Sequence, residues 1–141
     1  MVDRSRRVLG LIAAGLLVAC GTSNRASLQI SGEGDIGPVL SRADLRSAHA
    51  DVDPSTSQPV VLLELTPNGQ RKFLALTTGV ARAGRRQHHP VHILISVNGK
   101  VISQPYVDYK LFPNGLPADN GIQIDVASIR AAHDLAARLN R

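Results

Sequence analysis

The stretch Pro59–Thr77, PVVLLELTPNGQRKFLALT, carries the decision about the fold. Its first half, Val60-Val61-Leu62-Leu63-Glu64-Leu65, is a near-continuous apolar run, the pattern of a strand covered on both faces. Thr66-Pro67 then sets a hydroxyl at the N-cap of a helix and proline at its first position, where no amide donor is needed. The helix is expected to run to about Gly79, with Phe73, Leu76 and Val80 spaced to pack on the sheet.

Upstream, Ser41-Arg42-Ala43-Asp44 has the form of a capping box with Asp in place of Glu, which predicts a short helix through about Ala50. Asp51–Pro59, with two prolines and several turn formers, reads as a loop. Downstream, Ala81–His89 reads as a basic loop. Pro90–Val97 alternates as a strand, and Asn98-Gly99 is the pair preferred in a two-residue hairpin because both residues tolerate positive φ. Lys100–Gln104 returns as the partner strand and stops at Pro105. A polar loop from Phe112 to Gly121 precedes a short strand, Ile122–Val126. Ser128 caps a final helix whose Ile129, Ala132, Leu135, Ala136 and Leu139 form one apolar stripe. This order predicts an α+β domain of two layers: a mostly antiparallel sheet of about four strands, with two main helices packed on one face.

The first 20 residues have a different character. Arg4, Arg6 and Arg7 precede an uncharged apolar run, Val8–Ala19, that ends at Cys20. Twelve or so residues make about 18 Å of helix, short of the roughly 30 Å of a bilayer core, so the run reads as a secretory signal. Leu17-Val18-Ala19-Cys20 resembles the bacterial lipoprotein box, which implies cleavage between Ala19 and Cys20 and a diacylglyceryl group on the Cys20 thiol. Two acyl chains anchor stably where one would be marginal. Residues 1–19 are thus expected to be a lipoprotein signal peptide, and 20–38, rich in Gly, Ser, Thr and Asn, a lipidated cysteine and flexible tether. Residues 39–141 are expected to form the domain, held at the cell membrane on its extracytoplasmic face. Leu28–Ile30 has the make-up of a short strand within the tether.

Composition narrows the function. The 141 residues carry 16 Lys and Arg against 11 Asp and Glu. Without Arg4, Arg6, Arg7 and Asp3, 13 basic and 10 acidic side chains remain, a net charge of only +3. Four aromatic residues offer no stacking platform for single strands, and no helix-turn-helix or zinc-finger pattern is present, so nucleic acid is not an expected partner. One cysteine excludes a disulfide framework within the chain.

Four segments resemble the SecD and SecDF protein-export subunits. Pro59–Thr77 is similar to that family's strand, Thr-Pro-x-Gly and Phe-containing helix. HILISVNGKVISQPYV, His92–Val107, is similar to its hairpin, with Asn98 where Asp is common. The ending IQIDVASIRAAHDLAARLNR is similar to its last strand and helix, and LSRADLRSAHADVD to its short helix before the loop. The resemblance covers Val39–Arg141 and corresponds to the head subdomain of the first extracytoplasmic loop. It implies the head fold and a binding habit toward translocating, unfolded polypeptide or envelope proteins. The family's transmembrane helices and basal subdomain have no counterpart here, and LFPNGLPADNG, Leu111–Gly121, replaces a Gly-Gly segment.

Candidate site residues are picked out by their chemistry. Tyr106, Tyr109 and Phe112 gather three of the four aromatics; beside a strand edge they would suit capture of an extended peptide. His88, His89 and His92 raise a metal-dependent hydrolase as an alternative, but His88 and His92 on one strand face would lie about 13 Å apart, too far for one zinc. His49 and His133 read as isolated on helices. Glu64 and Asp125, each within an apolar strand, are the carboxylates that acid–base chemistry would need. Neither a nucleophile elbow nor a phosphate loop is present. The expectation is a non-catalytic domain without metal or cofactor beyond the Cys20 lipid. A structural envelope lipoprotein with no export role is the other alternative.

Overall fold

The structure, a computed structural model, describes residues 26–141; the expected signal peptide, its expected Ala19–Cys20 cleavage and the expected lipidation of Cys20 lie outside the described residues. The strands are β1 (Leu28–Gly32), β2 (Leu40–Ser41), β3 (Leu45–Val52), β4 (Pro59–Leu65), β5 (Ile93–Val97), β6 (Lys100–Ser103) and β7 (Ile122–Asp125). A 3-10 turn, Arg42–Asp44, joins β2 to β3; helix α1 spans Pro67–Gln87 and α2 spans Ile129–Leu139. The α+β class is as expected. The single sheet is not: the strands form two antiparallel sheets, ordered β2-β1-β5-β6 and β3-β4-β7. β4 and β5, expected in one sheet, belong to different sheets, and α1 carries the chain between them. α1 packs on β1, β2 and β4, and α2 on β3 and β4. One apolar cluster takes residues from both sheets and both helices, among them Ile30, Leu63, Leu76, Ile95, Ile124 and Leu139.

The folded unit begins earlier than Val39. Leu28, Ile30 and Gly32 alternate inward along β1, which pairs with β5 (Leu28↔Val97, Ile30↔Ile95) on one side and β2 on the other. Residues 26–38, expected in the tether, therefore supply an inner strand of the four-stranded sheet. The hairpin turn pins its start: Asn98 Oδ1 accepts from the Ser27 amide at 3.0 Å, and the Asn98 amide donates to Ser27 O at 3.1 Å. Asn98 and Gly99 have the positive φ values, 51° and 79°, that the hairpin requires.

Helix α1 starts as expected, Thr66 Oγ1 accepting from the Gly69 amide at 3.0 Å. It then continues past Gly79 to Gln87 and stops where His88 turns left-handed, φ 59° and ψ 27°. The expected basic loop is thus helical, with Arg82, Arg85 and Arg86 exposed on its last turns. Ala81, Ala83 and the arginines are good helix formers.

The capping box is present, but the helix it was expected to start is a single 3-10 turn. Ser41 Oγ accepts from the Ala43 amide at 3.3 Å, and Asp44 Oδ2 accepts from the Ser41 amide at 3.0 Å. From Leu45 the chain is a strand paired with β4, Ala48↔Leu63 through Val52↔Pro59, with a bulge between Leu45 and Ser47. The outer edge of β3 is closed by one side chain: Asn140 Nδ2 donates to Ala48 O at 2.7 Å and Asn140 Oδ1 accepts from its amide at 2.8 Å. Ala48 is buried, so Asn140→Ala leaves two backbone groups without these partners and is expected to cost about 2 kcal/mol. Urea unfolding checks this, with Asn140→Asp retaining only the accepting half.

The β3–β4 turn is held by Asp53. Ser55 Oγ and the Ser55 amide donate to Oδ1 at 2.7 and 2.9 Å, and Gln123 Nε2 on β7 donates to Oδ2 at 2.9 Å. These bonds, Ser55's first, lower the Asp53 pKa from 3.8 to about 2. A depressed carboxylate stabilises the fold above its unfolded pKa, and that contribution is lost as pH falls from 3.8 toward 2. Carbon-detected NMR titration is expected to place the Asp53 midpoint near 2 and to move it upward in Ser55→Ala.

Candidate peptide-binding surface

The segment after β6 remains at the sheet edge. Ile93 N donates to Pro105 O at 2.7 Å, and His92 and Tyr106 form an antiparallel bridge. The two rings meet edge to face with centroids 6.2 Å apart. The chain then leaves the sheet and lies along α1. Tyr109 is half-buried against Gly84, where a Cβ would come within 3.1 Å of its ring. Asp108 organises the next turn, its carbonyl accepting from the Phe112 amide at 2.8 Å and its Oδ1 from the Lys110 amide at 3.0 Å.

Two threonines of α1 fasten the far side of this loop. The Thr77 hydroxyl accepts from the Leu116 amide at 2.8 Å, and Thr78 Oγ1 donates to Asn114 O at 2.9 Å. Ahead of these anchors Leu111 is 72% exposed, and Phe112, like Tyr106, is 42% exposed. The expected trio is therefore divided: Tyr106 and Phe112 face solvent, whereas Tyr109 joins the packing that holds the loop to the helix. Among the described residues Leu111 is the most exposed large apolar side chain, and the sequence reading missed it. Its position beside Phe112 in an otherwise polar loop was the available signal.

The histidines do not converge. His88 caps α1, His89 Nδ1 lies 3.2 Å from the neighbouring Pro90 O, and His92 Nδ1 lies 3.6 Å from Glu33 Oε1. Among the described residues no group of three or more His, Cys, Asp or Glu is placed to hold a metal ion. Glu64 and Asp125 are also apart: β7 sets Asp125 opposite Val60, four residues from Glu64, or about 13 Å along a strand.

Glu64 has other partners because residues 45–52 are a strand. His49, expected alone on a helix, is on β3 with Nε2 3.1 Å from Glu64 Oε1, and Ser47 Oγ donates to Glu64 Oε2 at 3.2 Å. The His49 contact, then Ser47's, lowers the Glu64 pKa. Ser47 Oγ also lies 3.3 Å from the same His49 Nε2. A catalytic triad uses opposite ring nitrogens for hydroxyl and carboxylate; here one nitrogen faces both, so this ring does not relay a proton between them. Beside the cluster, a cleft of about 310 Å³ is lined by Arg46, Gln70, Asp119 and Asn120, an open polar depression that sequence reasoning did not foresee.

Two antiparallel sheets, two helices and an aromatic loop laid along the longer helix define a small α+β domain around one core. The family model described as SecDF, P1 head subdomain, matches residues 26–141, and the chain belongs to that family. The protein translocase subunit SecD of Thermobaculum terrenum is 33% identical over 69 residues, covering 49% of this chain and 12% of that protein. A solved structure of SecDF, a membrane component that enhances protein export, is similar over 81% of this chain and 60% of its own, with TM-score 0.54 and 22% identity. SecDF in its super-membrane-facing form is similar over 81% of this chain and 18% of its own, with TM-score 0.58 and 22% identity. The chain thus spans about an eighth of the SecD relative. Among the described residues no helix is long and apolar enough to cross a membrane.

Proposed function

We propose that the chain is a non-catalytic, lipid-anchored extracytoplasmic binding domain that holds translocated or unfolded polypeptide. The carrying observation is the exposure of Tyr106, at the sheet edge after β6, and of Leu111 and Phe112 in the loop that follows, which the Thr77 and Thr78 hydroxyls fix to α1, in a chain of the SecDF P1 head subdomain family. An edge supplies backbone donors and acceptors to an extended chain, and apolar side chains beside it supply sequence-tolerant contact. A loop held in place loses little entropy on binding. The leader ending at Cys20 supports attachment of the domain to the membrane by a diacylglyceryl group.

The test is site-specific photocrosslinking in intact cells, with the reactive group at Phe112 and a control at Ile129, which is also exposed. Secreted polypeptides in an unfolded state are expected at position 112 and not at 129. Equal, indiscriminate labelling from both positions would overturn the reading, and one folded envelope protein at 112 would make the domain a structural partner instead. Radioactive palmitate is expected to label the protein and to leave Cys20→Ser unlabelled.

A further inference from the structure

The aromatic loop lies beside a row of cations. Thr78, Arg82 and Arg85, spaced by four and three residues, share one stripe of α1. Thr78 of that stripe bonds the loop at Asn114, and Tyr109 rests on Gly84 next to Arg85. Lys110, exposed, sits between Tyr109 and Leu111. The nearby carboxylates are engaged: Asp108 accepts from the Lys110 and Leu111 amides, and Glu33 faces His92. Among the described residues Arg82, Arg85 and Lys110 form no ion pair.

Headgroups of the anchoring membrane fit this surface poorly. The chain enters the domain at the Ser27–Asn98 contact, by the hairpin turn. α1 ends by the start of β5, at the other end of that strand, about 16 Å away for five residues. The cations thus stand at the end of the sheet remote from the tether, beside an apolar surface at a strand edge.

Building on that polypeptide-binding role, we propose that this surface prefers extended polypeptide segments in which apolar side chains are accompanied by carboxylates. Tyr106, Leu111 and Phe112 would take the apolar residues, and Arg82, Arg85 and Lys110 the acidic ones. The test uses the full chain in phosphatidylcholine vesicles and two fluorescent unstructured peptides with the same Leu, Val and Phe content, one carrying Glu and the other Lys. The Glu peptide is expected to bind about tenfold more tightly, since each of three exposed charges contributes a fraction of a kcal/mol. The advantage is expected to shrink between about 0.05 and 0.5 M NaCl and to reverse in Arg82→Glu/Arg85→Glu. Phe112→Ala is expected to weaken both peptides alike. Equal binding, unchanged by the arginine variant, would overturn the preference and leave the polypeptide reading standing; binding of neither peptide would end both. Loss of the preference once phosphatidylglycerol is added to the vesicles would make anionic lipid the occupant and overturn the proposal.

Discussion

Gly115→Ala is expected to destabilise the domain by about 3 kcal/mol, the sum of a strained backbone and an overpacked contact. Gly115 has φ +88°, and a Cβ there would lie 2.5 Å from Thr78 Oγ1 and 2.8 Å from both Thr77 Oγ1 and the Thr78 amide. Those hydroxyls hold the loop, so relief of the overlap has to lift residues 112–116 away from α1. Chemical unfolding measures the loss. Asn114→Ala serves as the control, because only the carbonyl of Asn114 bonds Thr78 and the expected change is below about 0.5 kcal/mol. If Gly115→Ala unfolds at the same urea concentration as Asn114→Ala, the close approach of loop and helix is wrong.

The second large effect centres on Asp44, 3% exposed. Its Oδ2 accepts from the Ser41 amide at 3.0 Å and from Lys72 Nζ at 3.2 Å, and its backbone carbonyl accepts from the Thr66 amide at 2.9 Å. One residue thus joins β2, the 3-10 turn and the start of α1. Asp44→Ala removes a buried carboxylate and leaves the Ser41 amide and the Lys72 ammonium without it, at an expected cost of about 3 kcal/mol. Lys72→Met is expected to cost less, since its side chain is 37% exposed and the Ser41 bond survives. The Thr-Pro-x-Gly sequence belongs to the same junction: a Cβ on Gly69 would lie 2.5 Å from Asp44 O, so the glycine lets the helix start close against the turn.

Local chemistry was legible wherever it acts alone. Thr66 and Ser128 cap their helices, Asn98-Gly99 turns the hairpin, and Ser41 and Asp44 make their reciprocal bonds. What could not be read was which local signal a distant partner overrides. Leu45–Val52 contains Ala, His, Ser and Asp and looks helical after its cap, yet pairing with β4 and the Asn140 clamp make it a strand. Gly79 looked like a helix end and Gly84 part of a loop; they are instead where Ile36 and Tyr109 approach α1. β1 pairs with a strand some 65 residues away, and no local pattern announces such a pairing. The same limit applied to the site. Tyr106 and Phe112 stand out as aromatics and Ala81–His89 as a basic stretch, but only the extended α1 and the threonine bonds set the Leu111–Phe112 loop against the helix that carries Arg82 and Arg85.

Hydrogen exchange of the full chain, with and without an unfolded secretory polypeptide, addresses the proposed binding surface directly. Added protection is expected in Ser103–Leu116 and in the last turns of α1, with β3 and α2 unchanged. Protection confined to β3 and α2, or none at saturating polypeptide, would contradict the assignment of the Tyr106–Phe112 face as the place where the chain is held.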